Sequence, residues 1–328
     1  MNKVVGIAML AFLSCGQVQI VISESVQAQT NQASNAEEDR ILKSCRDNLK
    51  AQKFQEGLLA CQTALEDFKK TDNLRGQGIA LNNIGANYNG LNQYQKAIDN
   101  FQQSLKIVRE VKDQRIEGIA LGSLGSTYRL LGKYDKAIEF HLQALTIKRE
   151  IKDRLGEGQS LGNLGNAYYS LGKYDKAIEF HLQSLAIFRE IKDRLGEGKA
   201  LGNLGSAYNS LGRYDKEIEF HLQSLAIKRE IKDRSGEGRS LGNLGIAYYS
   251  LGKYDKAIDY HLQSLAILRE IKDLQGEGSV LGNLGIAYDS LGKYDKAIEF
   301  HLQSLAIARE IKDRLGEGPS LGHLGLAY

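Results

Sequence analysis

Apolar residues along this chain fall at helical spacing, and the same spacing then returns. In residues 161–200, Leu161, Leu164, Gly165, Tyr168 and Leu171 share one face of a predicted first helix. Gly172 sits where a left-handed residue ends a helix. Tyr174, Ala177, Ile178, His181, Leu185 and Phe188 define a second helix, and Ile187 and Ile191 widen its apolar stripe. Asp193 is placed to cap the next first helix, and Glu197 sits where the helix dipole favours an anion. No stretch alternates as a strand would. Copies of this pattern begin at Leu81, Leu121, Leu161, Leu201, Leu241, Leu281 and Leu321, 40 residues apart. Residues 161–200 and 201–240 differ at only eight positions. A fixed period of this length signals stacked supersecondary units, each burying its apolar face against its neighbours.

The order L-x-x-L-G-x-x-Y, L-G-x-Y-x-x-A and then S-L resembles the tetratricopeptide repeat, with Leu in place of its Trp. HEAT and armadillo repeats have a similar period but lack this order. Small residues stand where the helices must approach: Gly165, Ala177 and Ser184. Within the family, D-R-L-G-E-G followed by L-G-N-L-G-N-A-Y is similar to the 40-residue Pins/LGN-like class, as in bacterial arrays. The resemblance covers residues 39–328: a degenerate unit at 41–80, six full units at 81–320 and a truncated unit at 321–328. It implies an all-α fold, a right-handed α-α superhelix of helical hairpins with a concave, peptide-binding groove.

Three departures stand out. Glu217 puts a carboxylate at the small Ala177 position and is expected to weaken its hairpin. Pro319 falls early in the last first helix, which is expected to start there. The array stops at Tyr328 in mid-helix, so its end either frays or continues in a longer chain. In the degenerate unit, Cys45 takes the place of Gly165 and Cys61 that of His181, facing each other across the hairpin. They read either as a disulfide or as two buried thiols.

Composition adds little to the fold but bounds the partners. Forty-three basic and 40 acidic residues are interleaved, for a net charge of +3, which argues against nucleic acid. The N-terminus lies outside the array. Lys3, the apolar run Val4–Gly16 and Val26-Gln27-Ala28 read as a signal peptide over 1–28, followed by a disordered leader over 29–38. Export to the periplasm or medium after cleavage near Ala28 is therefore expected, with an uncleaved membrane anchor or a lipoprotein at Cys15 as alternatives.

Chemistry is sparse. His141, His181, His221, His261 and His301 form a column with one copy per repeat, about 10 Å apart if repeats pack as neighbouring helices do, too far to share a metal. Each stands where the family places a core aromatic. His323 falls at a groove position of the last unit. G-N-L-G lacks the strand and G-K-[ST] ending of a phosphate loop, and Asp175 and Glu179 read as a solvated face. No catalytic residue, metal site or cofactor is expected.

The first helices carry the stronger signal. Gly162 recurs as Gly122, Gly202, Gly242, Gly282 and Gly322, although glycine in a helix costs about 1 kcal/mol against Ala. Asn83, Asn163, Asn203, Asn243 and Asn283 form a carboxamide ladder, broken by Ser123. The resemblance implies that such Asn residues hold ligand backbone; passengers of one duplicated unit would give the same pattern. Other off-core positions vary between copies: Asn166, Ser206, Ile246, Ile286 and Leu326 in one column; Arg129, Tyr169, Asn209, Tyr249 and Asp289 in another. Lys199 and Arg239 add central cations. The reading is a non-enzymatic scaffold for a partner peptide with acidic residues near its middle and an apolar end. The alternatives are the sensor part of a longer protein with a C-terminal effector, such as a CHAT protease-like domain, and an array that associates end to end.

Overall fold

Why the period is 40 follows from helix and turn lengths. Each repeat holds two 17-residue helices, such as Arg154–Ser170 and Tyr174–Glu190, each followed by a three-residue turn. The computed structural model describes residues 36–314, 316–318 and 321–322. In chain order the helices are α1 (36–50), α2 (Phe54–Lys70), α3 (Leu74–Gly90), α4 (Tyr94–Glu110), α5 (Gln114–Leu130), α6 (Tyr134–Glu150) and α7 (Arg154–Ser170). They continue as α8 (Tyr174–Glu190), α9 (Arg194–Ser210), α10 (Tyr214–Glu230), α11 (Arg234–Ser250), α12 (Tyr254–Glu270), α13 (Leu274–Ser290) and α14 (Tyr294–Glu310). No strand occurs among the described residues. The described residues divide into two compact units, one up to Ser123 and one from Leu124 onward.

The two turns of a repeat are built differently. Asp193 caps α9, its Oδ1 accepting from the Gly196 N–H at 3.0 Å, and Asp153, Asp233 and Asp273 do the same for α7, α11 and α13. The second helices follow Lys, Arg or, at α4, Gln93, and have no side-chain cap. Gly172 ends the first turn at φ +77°, as its place in the sequence predicts. The second turn puts Lys192 at φ 58°, and Lys112, Lys152, Lys232 and Lys272 match it, so a side chain occupies the left-handed position throughout.

Leu161 and Leu164 pack with Ile187 of the same hairpin and Leu145 of the preceding one, while Ile178, Leu185 and Phe188 pack on Leu201, Leu204 and Ala207 of the next. The helices approach closely because Gly165 lies under the His181 ring: a Cβ there would sit 2.5 Å from Cε1. Ser184 secures the crossing, its hydroxyl donating to the Gly158 carbonyl at 2.8 Å, and Ser224 and Ser264 repeat the bond. Outside the core, Glu157 accepts from Arg149 of the preceding helix and from Arg154, whose guanidinium also reaches Glu190. The same lattice joins Arg189, Arg194, Glu197 and Glu230, then Arg229, Arg234, Glu237 and Glu270. Burial opposes ionisation of Glu157, but its hydrogen bonds from Arg149 and Arg154 win and hold it below the usual carboxylate range.

In the first unit, Cys45 of α1 and Cys61 of α2 are joined as a disulfide, with their Cα atoms 4.8 Å apart. The leader expected over 29–38 ends sooner than its polarity suggests. Residues 36–38 are already helical, and Glu38 is buried, accepting from Arg75 and, at 3.1 Å, from Asn73. A carboxylate read as solvated turns out to anchor the first helix. Pro319, His323 and Leu326 lie outside the described residues, as do residues 1–35 with the signal-peptide and cleavage-site expectations.

Candidate functional site

Successive first helices of the second unit touch one another: α7 with α9, α9 with α11, and α11 with α13. Among the described residues, the second helices α6, α8, α10, α12 and α14 make no such contact with each other. The first helices therefore line the tighter, inner side of this unit.

On that side a pocket of about 340 Å³ opens between α9, α10 and α11. Lys199 and Asn203 line it from one first helix, Arg239 and Asn243 from the next, and Ser224 and Lys228 form its floor. Lys199 and Arg239 are exposed, and neither has a carboxylate within ion-pair distance among the described residues. Lys228 is buried and committed, its Nζ 2.9 Å from Asp233. Burial pushes Asp233 up, but its bond from the Gly236 N–H, Lys228 and the charge of Arg239 together hold it below the usual range. The pocket thus presents two exposed cations, neither held in an ion pair, beside two carboxamides.

A Cβ at Gly202, Gly242 or Gly282 would meet only a serine Oγ at 3.4–3.6 Å or, at Gly242, Val280 at 3.9 Å, ordinary contact distances. Packing does not demand glycine at these three places. Gly162 is tighter, with Ser184 Oγ at 3.2 Å. The Asn ladder is less uniform than its sequence. Asn203 donates to Asn166 at 3.2 Å, whereas Asn243 and Asn283 have Ser206 and Ile246 at the corresponding places. Asn283 lines a separate pocket of about 260 Å³ with Gly282 and Ile286, Asn163 is half-buried on α7, and Asn83 belongs to a pocket of the first unit.

The column of Arg129, Tyr169, Asn209 and Tyr249 does not join this pocket. Tyr169 packs on Tyr174 at 5.4 Å and accepts from Ser210 at 3.0 Å; Tyr249 packs on Tyr254 and its hydroxyl lies 3.1 Å from that of Ser290. Asn209 donates to Glu217 at 2.8 Å, and Arg129 lies near enough to His141 for its charge to be felt there. These positions lie at the C-terminal end of the first helix, where a side chain meets the start of the second helix instead of the inner face.

The histidines are core residues. His141, His181, His221 and His261 are almost wholly buried, and burial pushes each down to about 4; at His141 the Arg129 charge adds to it. Their Nδ1 atoms have no hydrogen-bond partner. Among the described residues no three His, Cys, Asp or Glu side chains converge as a metal site would require. Glu217, enclosed beside His221 with 3.9 Å between Oε1 and Nε2, is pushed by burial up to about 7 although Asn209 donates to it.

Two features escape a sequence reading. Tyr168 stacks on Phe180 at 5.2 Å with Lys176 over its outer face, an arrangement that also holds at Tyr128, Tyr248 and Tyr288. The second is the polar pocket of the first unit around Asn82 and Arg115. Its signal was Asn82 itself, which stands where later copies have glycine.

No curated protein matches the chain by sequence. Solved structures resemble it in fold. A Rap protein complexed with Competence and Sporulation Factor is 17% identical, with a TM-score of 0.62 over 89% of this chain and 86% of that one. The APC/C hetero-tetramer Cut9–Hcn1 is 18% identical, with a TM-score of 0.60 over 88% and 53%. A signal transduction ATPase with numerous domains and a tetratricopeptide repeat sensor, from Pyrococcus horikoshii, is 18% identical; its TM-score is 0.66 over 88% of this chain and 47% of that one. The tetratricopeptide repeat family matches residues 44–110, 77–150, 117–190, 156–230, 196–270 and 236–310 in overlapping steps. With its hairpins, its small-residue crossings and these matches along most of its length, the chain belongs to the tetratricopeptide repeat family.

Proposed function

We propose that the array is a non-enzymatic scaffold that holds an extended peptide segment of a partner protein along the inner face of its second unit. The observation that carries this reading is the pocket uniting Lys199, Asn203, Arg239 and Asn243, where neither cation is held in an ion pair and Gly202 is not required by packing. Carboxamides donate to and accept from peptide groups, and the cations favour acidic side chains near the segment's centre. Ile246 and Ile286 favour an apolar end. Titrating an acidic–apolar peptide and its Lys-substituted counterpart tests this. The acidic peptide is expected to bind, and Lys199→Glu with Arg239→Glu to weaken it at least roughly tenfold, as like charges replace complementary ones. Equal binding of both peptides, or indifference to the double substitution, would refute the charge reading.

A second reading is that the array is the sensor part of a longer protein with an effector. It is favoured by the likeness to the sensor-bearing ATPase, of which the matched region is about half. Export after cleavage near Ala28 fits either reading, and the Cys45–Cys61 bond favours an oxidising compartment. The intact mass of the native protein distinguishes these, since export predicts a start at Gln29 and an effector predicts a mass well above that of residues 29–328.

A further inference from the structure

The first unit holds a pocket of about 500 Å³ between α1, α3 and α5, within the usual size of small-ligand sites. Most of its charge is already matched: Glu38 pairs with Arg75, and Asp39 lies 2.6 Å from Arg46. Arg115 is exposed and has no carboxylate partner among the described residues. Deeper in, Asn82 Oδ1 and Asn83 Nδ2 are enclosed and have no hydrogen-bond partner. Leaving an enclosed polar atom unpaired is costly, so this acceptor and donor on adjacent residues are poised for a complement. Ile79, Ile116 and Ile119 supply the apolar wall. Only this first clear repeat has a carboxamide, Asn82, where Gly122, Gly162 and their successors follow, so the site is not a copy of the later groove.

We propose that this pocket binds an acylamino-acid group: a secondary amide one carbon from a free carboxylate, carrying an apolar side chain. The amide N–H donates to Asn82 Oδ1, the amide oxygen accepts from Asn83 Nδ2, the carboxylate pairs with the Arg115 guanidinium, and the side chain covers the isoleucines. A bare phosphate or carboxylate would satisfy Arg115 yet leave both carboxamide atoms unpaired. The group can come from a free N-acylated amino acid or from the last residue of a peptide. The site uses no residue of the second unit and stands or falls independently of the peptide groove.

Calorimetric titration of the full chain with N-acetyl-leucine tests the proposal. Saturable binding of one equivalent is expected, with a Kd of about 1 mM or tighter. N-acetyl-leucinamide, which lacks the charge, and leucine, which lacks the acyl group, are each expected to bind at least roughly tenfold more weakly. Arg115→Ala abolishes binding and Arg115→Lys retains part of it. Asn82→Gly, the residue of the later copies, weakens it with helicity unchanged by circular dichroism, while Lys199→Glu with Arg239→Glu leaves it intact. Acetyl-Ala-Ala-Ala-Leu separates the sources: binding roughly tenfold tighter than N-acetyl-leucine assigns the site to a chain end, and equal or weaker binding to a small ligand. No saturation, equal binding of acid and amide, or no effect of Arg115→Ala would overturn it.

Discussion

Two glycines that look alike in the sequence have opposite roles once their neighbours are known. Gly165 and Gly242 both stand inside first helices, but a Cβ at Gly165 would strike the buried His181 ring at 2.5 Å, whereas one at Gly242 meets Ser264 Oγ at 3.4 Å. Gly165→Ala is therefore expected to destabilise by about 2 kcal/mol or more through overpacking, and Gly242→Ala to stabilise by about 1 kcal/mol through helix propensity. Thermal melts of the two variants check this, and shifts of the same sign would refute it. Glu217 is the other exception. Its carboxyl ionises near 4.5 when unfolded but at about 7 when enclosed, so the folded state binds the extra proton between those values. Stability is lost as pH rises from 4.5 through 7, by about 3 kcal/mol at most. Glu217→Ala should raise the melting temperature most above pH 7 and least below pH 4.5. A variant no more stable than its parent at pH 8 would show that the buried carboxylate is harmless.

At the scale of the element, one face of the second helices sets the acid limit of the array. The position runs Cys61, Phe101, His141, His181, His221, His261 and His301, and Phe101 packs on Gly85 as His181 packs on Gly165. Four of these histidines are held neutral with values near 4, below their unfolded value of 6.5. Their contribution is present above pH 6.5 and lost as pH falls toward 4, about 3 kcal/mol for each, which together is comparable to the whole stability of an ordinary domain. The array should unfold between those limits. His181→Phe with His261→Phe, copying Phe101, should shift that midpoint to lower pH; an unmoved midpoint would place the acid sensitivity elsewhere. The helices, the Asp193 cap, the Gly172 turn and this packing column were legible because each rests on local spacing. The Tyr169 column lies apart from the Lys199 pocket because a helical wheel gives direction but not height: at the end of its helix, its side chain meets Tyr174 and Ser210 of the next hairpin. The Asn82 and Arg115 site was missed because it depends on which polar atoms remain unpaired, which no spacing reveals.

At the scale of the molecule, the Arg–Glu lattice and the serine crossings recur at nearly the same place in the hairpins α7–α8, α9–α10 and α11–α12. Stability in such an array is close to a sum of units and joins. Excising residues 194–233, which form α9, α10 and their turns, brings Glu190 to the place of Glu230 and Asp193 to that of Asp233, so the lattice closes again. The shortened chain should keep its helicity per residue and lose affinity for the acidic peptide, since Lys199 and Asn203 are gone. Loss of helicity beyond the excised residues would mean that the joins are not equivalent.

The repeated ring pairs make the same arithmetic visible to light. The chain has no tryptophan, and five hairpins set a tyrosine flat against a neighbouring ring at 5.2–5.3 Å and 4–5°. Like chromophores in like chiral surroundings add their signals, so near-ultraviolet dichroism from the four Tyr–Phe pairs rises in nearly equal steps, with a different step from the Tyr248–Tyr260 pair. The protein carries its own optical counter, which reads how many of its units are closed at any moment without a label.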